Sequence, residues 1–414
     1  MTNSTGIDPR KILRWLFSWQ ALSIYAIVFA IIIFGAKILF SFRPLFYADA
    51  ELRLSDFYVF WAAAQIMQEN GIIAAFDQSV LNAKLAPFFG AQNTAASDAG
   101  ELGLFWLYPP TILPWIYPLG FTSPMVGLVL FLLASIAIWC VTVLRFFPRL
   151  SDASVFPVLF APALFVTLSF EQNGAFSAFC LIGFIVALKE NRSPWLIGLF
   201  ACLLLFKPQL GVFMPLVLLL ERNYRAFFAA AVLCMLYLSA VTAIWGLEYW
   251  DAFFEKQRFM AGIINEGHYA RLSISVFGFL QIAGFSAQPA LFVHLGFAVA
   301  LLWIFWDVWR KADWNLRISL FIMATLLLPH YTLVYDMTAS AFVFGLIFPY
   351  AHRFKFGPLA MLIFWTSPMF FNSAPNLFGL IELPLINLAM IGFIWYLTKA
   401  DIRAAAPAAN MQKG

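Results

Sequence analysis

The sequence predicts an all-α, polytopic membrane protein, and three observations carry that expectation. Of its 414 residues, 63% are hydrophobic and only 11% charged, whereas soluble domains run nearer half apolar and a quarter charged. The mean hydropathy is +0.85. Apolar runs approaching the roughly 20 residues that a helix needs to cross the hydrocarbon core recur along most of the chain. The 48 phenylalanines and 15 tryptophans fit the same setting, because Phe tolerates hydrocarbon and Trp favours the interface.

Residues 1–17 read as a cytoplasmic N-terminal segment. Residues 18–42 read as the first span and not as a cleaved leader, since Ala21 to Phe40 is long enough to cross and no small-residue cleavage site follows. Further spans are expected near 123–145, 152–170, 173–188, 195–206, 209–221, 226–246, 289–309, 314–329, 333–350, 357–371 and 380–398, about twelve in all. Several are shorter than a bilayer and must extend, tilt or line a protein cavity. Residues 106–121 and 274–285 read as half-helices or re-entrant segments. A single transmembrane domain over 18–403 results, with outer loops at 43–105 and 247–274. The tail 404–414, Ala-rich over 404–409, is expected to be disordered. Within the first outer loop, Phe57, Phe60, Trp61, Ala64 and Met67 recur at helical spacing, which predicts a helix lying on the membrane surface.

Positive charge sets the sides, because Lys and Arg concentrate in cytoplasmic loops. Arg10, Lys11 and Arg14 precede the first span. Later span ends carry Arg145 and Arg149, Lys189 and Arg192, Arg222 and Arg225, Arg310 and Lys311, Arg353 and Lys355, and Lys399 and Arg403. Placing all of them inside leaves both termini cytoplasmic. The scatter of basic residues through short loops, with a net charge of +4, argues against nucleic-acid binding. Cys140, Cys180, Cys202 and Cys234 each sit in an apolar stretch and read as small buried hydrophobes. Nucleotide-triphosphate, zincin, CxxC and serine-hydrolase motifs are absent from the sequence, and four histidines without a Cys/His cluster do not suggest a metal.

Ionisable residues at membrane depth are costly and usually face a cavity or a partner. Four polar breaks fall toward the same, outer face: Tyr108-Pro109-Pro110, Glu171-Gln172-Asn173-Gly174, Lys207-Pro208-Gln209, and Pro329-His330 followed by Tyr335-Asp336. Chance would scatter them over both faces. Each has a plainer reading. Tyr108-Pro109-Pro110 can open a helix, Lys207 can snorkel, and His330 can be a hydrogen-bonded buried histidine. Asp336 can partner Lys207 or an arginine. Ser55-Asp56 can cap a helix, and Asp49 and Glu51 are alternatives for an acidic role. Asp307 reads as a solvated group at the inner interface and His294 as structural.

Taken in order, "SDFYVFWAAAQ", "LYPPTILPWIYPLGF", "EQNGAFSAF", "LLLFKPQLGVFMPL" and "LLPHYTLVYDM" resemble the pattern of glycosyltransferase family 87, a member of the GT-C superfamily of polytopic enzymes. The resemblance runs from about Asp56 to Asp336, and order and spacing carry it more than any one motif. It implies a GT-C-like bundle and an inverting transfer of a monosaccharide, mannose being the usual one. The donor would be a polyprenyl-phosphate sugar and the acceptor a lipid or glycan, with no metal and no other cofactor. The active site would face the periplasm from a bacterial inner membrane. The family's catalytic acid falls on Asp56. Its donor-phosphate groups fall on Lys207, His330 and Gln209, with Tyr108, Gln172, Tyr335, Asp336 and Arg271 as further substrate contacts.

The residue types suit that chemistry on their own terms. Inversion needs a carboxylate to take the proton of the attacking hydroxyl. The phosphate leaving group needs positive charge more than a strong acid. The competing class is a transporter or lipid flippase, which also uses broken helices and intramembrane charge. It is disfavoured by the absence of an internal repeat, the one-sided placement of the charges and the size of the first outer loop. A polymerase or ligase relying on Arg258 and Arg271 is a third reading.

Overall fold

A computed structural model describes residues 15–41, 55–88, 104–147, 153–372 and 382–411. Arg10, Lys11, Arg14, Asp49, Glu51 and Arg149, to which the sequence assigns topological or acidic roles, lie outside the described residues. Among the described residues there is no strand; the sole β-type contact is an isolated antiparallel bridge between Ser273 and Leu333.

Among the described residues, the α-helices of five or more residues, in order, are α1 (Trp19–Ser41), α2 (Asp56–Asn70), α3 (Gln78–Leu85), α4 (Pro124–Phe146), α5 (Val155–Leu159), α6 (Pro162–Ser169), α7 (Gly174–Lys189), α8 (Pro194–Leu203), α9 (Phe213–Leu220), α10 (Tyr224–Trp245), α11 (Glu248–Asn265), α12 (Val276–Ile282), α13 (Ala287–Lys311), α14 (Trp314–Leu327), α15 (Ser340–Ala351), α16 (Gly357–Thr366) and α17 (Glu382–Met411). Short 3₁₀ turns fill several joins. Among the described residues, five stretches are long and apolar enough to cross a membrane: α4, α10, α13, Val334–Ala351 and Leu383–Ala400. The other expected crossings are shorter, because proline, glycine and polar residues cut them. Pro162 separates α5 from α6, and Lys207-Pro208 separates α8 from α9. The expected half-helix at 106–121 is extended to Pro109 and then runs as short turns from Pro110 to Phe121, and the one at 274–285 is the short α12. The last helix continues through the Ala-rich stretch 404–409, where a disordered tail was expected; alanine is the strongest helix former.

The two ends of the bundle differ chemically. One end gathers the basic residues. Lys311 pairs with Asp307 Oδ1, Lys399 with its Oδ2 at 2.6 Å, and Trp395 Nε1 donates to that same Oδ2 at 2.8 Å. Arg317 and the Trp309 indole both donate to Glu221 Oε1, at 3.2 and 2.8 Å. Asp307 is therefore a buried clasp, and the expectation of a solvated interface group is corrected: its two lysines replace the water it lost. The opposite end carries the polar breaks.

Helix α2 is also corrected. Phe57 to Ala64, Ile66 and Met67 are all buried, so it packs inside the protein and does not lie on a membrane surface. The small side chains Ala62, Ala63 and Ala64 let neighbours approach on the faces that a surface helix would leave wet. The Trp61 indole donates to Thr122 O at 3.0 Å, and the Gln65 and Gln68 amides donate to Gly120 O and Tyr117 O at 3.3 and 2.8 Å. These bonds satisfy backbone carbonyls of the broken 110–121 segment and fix α2 beneath it.

Candidate functional site

Asp56 is the first residue of α2, and Ser55 occupies the N-cap position. Ser is a strong capping residue, yet its hydroxyl makes no cap bond. It donates instead to Glu171 Oε2. Asp56, half-buried, accepts a hydrogen bond from Gln172 Nε2 on Oδ2 at 2.8 Å. The local sequence that could be a simple helix start is thus turned toward the Glu171–Gly174 break.

That break is conformationally demanding. Glu171 has φ +56°, a left-handed conformation that is uncommon for a residue with a side chain. Glu171, Gln172 and Asn173 are all buried. A Cβ at Gly174 would collide with the carbonyl oxygen of Tyr335, so glycine lets the start of α7 approach the 334–339 turn. Thr167 Oγ1 donates to the same carbonyl at 2.6 Å.

From Asp56 a chain of hydrogen bonds runs inward with one consistent polarity. The carboxylate can only accept, so it turns the amino group of Gln172 toward itself. Gln172 Oε1 then accepts from Tyr108 OH at 3.2 Å, and the Tyr108 oxygen accepts from Asn173 Nδ2 at 3.2 Å. Tyr108 is held from behind. Its carbonyl accepts from Tyr249 OH at 3.2 Å, Tyr249 OH accepts from the Trp106 indole at 2.9 Å, and its ring lies 5.2 Å from that of Phe60.

The second half of the site is a buried ion pair. Lys207 sits between two 3₁₀ turns with φ −135° and ψ 69°, outside helical geometry because Pro208 follows. Its Nζ donates to Asp336 Oδ1 at 2.5 Å, with both side chains 6% exposed, and lies 5.1 Å from the centre of the Tyr335 ring. The two halves sense each other. Burial pushes the Asp56 carboxyl up to about 6; the Gln172 bond opposes that, the Glu171 charge adds to it and the Lys207 charge opposes it. A carboxylate held near neutrality by burial is a recurrent feature of working sites.

The expected residues separate into three sets. Asp56, Gln172 and Tyr108 are joined by direct hydrogen bonds. Lys207, Tyr335 and Asp336 form the adjoining ion-pair group. His330, Gln209 and Arg271 are exposed and stand outside both networks. The His330 carbonyl accepts from Ser275 Oγ at 2.6 Å, and its ring lies against Phe277 at 5.5 Å. Its neighbour Tyr331 packs edge-on against Tyr269 at 6.0 Å, and burial and the Asp56 charge raise the Tyr269 phenol to about 12. His294 is structural as expected, with Nε2 3.0 Å from Leu328 O. Ser55, Glu171 and Asn173 are the site residues that the sequence marked only as a possible helix cap and as parts of a polar break, with no site role.

Residues 106–330 match the sequence profile of glycosyltransferase family 87. The chain belongs to that family. The match spans just over half of the sequence. It takes in Tyr108, Gln172, Lys207, Gln209, Arg271 and His330, while Asp56, Tyr335 and Asp336 lie beyond its ends. Family 87 is of the GT-C type, so the all-helical fold and the membrane-spanning helices are those of a glycosyltransferase. No curated protein and no solved structure matches the chain significantly.

Proposed function

We propose that this family-87 glycosyltransferase moves a monosaccharide, mannose in the simplest case, from a polyprenyl-phosphate donor to a hydroxyl acceptor, with inversion, at the outward face of a bacterial inner membrane. The observation that carries the reading is the half-buried Asp56 carboxylate, oriented by Gln172 and within electrostatic reach of Lys207 of the buried Lys207–Asp336 pair. Asp56 takes the proton of the acceptor hydroxyl as its oxygen attacks the anomeric carbon. The bond from that carbon to the phosphate oxygen breaks, and its electron pair leaves with the polyprenyl phosphate. Lys207 uses one N–H on Asp336 and offers others where the phosphate gains charge. His330 and Gln209, both exposed, are proposed to meet the phosphate on its approach path. No metal is required by this scheme.

The donor tail needs an apolar channel beside Lys207. A cavity of about 290 Å³ lined by Leu204, Leu205, Pro208, Val212 and Cys234 opens there, and we assign the tail to it. The basic end of the bundle, by the charge rule, faces the cytoplasm, which turns the Asp56 end outward. The test is anomeric outcome: purified protein in vesicles, given polyprenyl-phosphate mannose, is expected to release product of opposite anomeric configuration by NMR. Retained configuration would point to a covalent intermediate and exclude a single displacement on Asp56.

A further inference from the structure

We infer that the acceptor is a long-chain lipid alcohol, whose chain lies in the aromatic groove beside Asn173 and whose hydroxyl bonds the Asn173 side-chain oxygen on its way to Asp56. This rests on the proposed sugar transfer and adds the class of the acceptor.

The groove has a volume of about 330 Å³ and runs between the 110–121 segment, α4 and α7; Trp115, Leu130, Phe131, Ala134 and Phe176 line it, and Asn173 is its one polar side chain. It also touches Phe60, one helical turn along α2 from Asp56. Asn173 is 4% exposed, and its Oδ1 has no hydrogen-bond partner. A buried polar atom left unpaired costs free energy, so this one has a reason to be there. The polarity of the relay explains its direction. Because Asp56 orients Gln172, and Gln172 orients Tyr108, the Asn173 amino group is consumed by Tyr108, and Oδ1 is the atom left over. Asn173 also stands at the N-cap of α7 without capping it, so its side chain is diverted from the role its position favours.

An unpaired carbonyl-type oxygen accepts a hydrogen bond and repels an anion. The phosphate offers it no proton, whereas a hydroxyl does, and a groove with one amide side chain among apolar lining matches a lone alcohol better than a sugar's several hydroxyls. Lys207 lines neither cavity: Phe206 before it lines the aromatic groove and Pro208 after it lines the other. The two apolar spaces differ in their lining: the aromatic groove presents the unpaired Asn173 oxygen, and the other presents no charged or amide side chain. The aromatic groove is open toward lipid, with Trp115 44% and Leu130 50% exposed, so a chain can enter sideways from the bilayer.

The experiment uses the full chain in phosphatidylcholine vesicles and a long-chain alkyl glycoside bearing a diazirine on its alkyl chain. Photolabelling is expected on peptides of α4 and α7. Ala134→Phe, which fills the groove from an exposed position, is expected to cut labelling at least tenfold. A free long-chain alcohol is expected to compete at least tenfold better than its methyl ether, and Asn173→Leu to abolish that preference. Equal competition by the ether in the unmodified protein overturns the inference. So does labelling that polyprenyl phosphate displaces and the alcohol does not, which assigns the groove to the donor. Donor consumption on the same preparation separates the two claims. Sugar delivered only to a water-soluble glycan overturns the lipid acceptor and leaves sugar transfer standing. Alcohol binding in the groove without any donor use supports the lipid site and removes sugar transfer.

Discussion

Asp307 and Asp56 occupy opposite ends of one bundle and are treated in opposite ways. Asp307 is closed in by two lysines and a tryptophan indole, so its charge is fully compensated and it ties α13 to α17. Asp56 receives one neutral amide and has a second acid, Glu171, close by. Burial without compensation lifts its proton affinity to about 6. The comparison separates a charge kept for architecture from a charge kept for chemistry: the first is saturated, and the second is left reactive at a cost in stability. The Lys207–Asp336 pair stands between these cases, compensated within itself yet near enough to act on Asp56.

Breaking the compensated pairs should give the largest effects on folding. Asp336→Ala strands a buried ammonium and is expected to cost about 3–5 kcal/mol, seen as a large fall in the thermal midpoint in detergent together with loss of sugar transfer. Asp307→Asn leaves two half-exposed lysines that water can reach, so the expected loss is about 2 kcal/mol, with turnover at the far end unchanged. Loss of turnover at equal fold would contradict the division between the two ends. Gly174→Ala drives a methyl group into the Tyr335 carbonyl. It is expected to destabilise by about 1–3 kcal/mol and to raise KM by shifting Asn173 relative to Asp56.

The uncompensated acid should respond in the other direction. Between roughly pH 4 and 6 the folded Asp56 holds a proton that the unfolded chain has lost, so its contribution to stability is favourable on the acid side and falls away as pH rises through 6. Asp56→Asn is therefore expected to be more stable than the parent at pH 8 by about 1–2 kcal/mol, with the difference vanishing toward pH 4 in paired melting curves. Turnover of the parent enzyme should drop about tenfold per unit below pH 6, as the base is protonated.

Much of this was legible in the sequence. Long apolar stretches such as α4, α10 and α13 stand out because nothing interrupts them, and the polar breaks at Gln172, Lys207 and Asp336 stand out because an ionisable or amide group at membrane depth needs a reason. The burial of α2 was hidden. Its aromatic stripe is what a surface helix also shows, and only its neighbours reveal that the alanine face is covered. Ser55, Glu171 and Asn173 were hidden because Ser and Asn before a helix are ordinarily caps. Here both side chains abandon the cap for long-range partners, Glu171 more than 100 residues from Ser55 and Tyr108 about 65 from Asn173. His330, Gln209 and Arg271 show the reverse: each suits a phosphate by type, yet their exposure comes from loop geometry that residue type does not encode.

One measurement bears most directly on the account, namely transfer from polyprenyl-phosphate mannose by Asp56→Asn compared with the parent protein in the same vesicles. With an intact fold and donor KM little changed, kcat is expected to fall by about a thousandfold, within the range of general-base loss. Activity within tenfold of the parent would contradict the assignment of Asp56 as the base and, with it, the mechanism built on the Asp56–Gln172 pair.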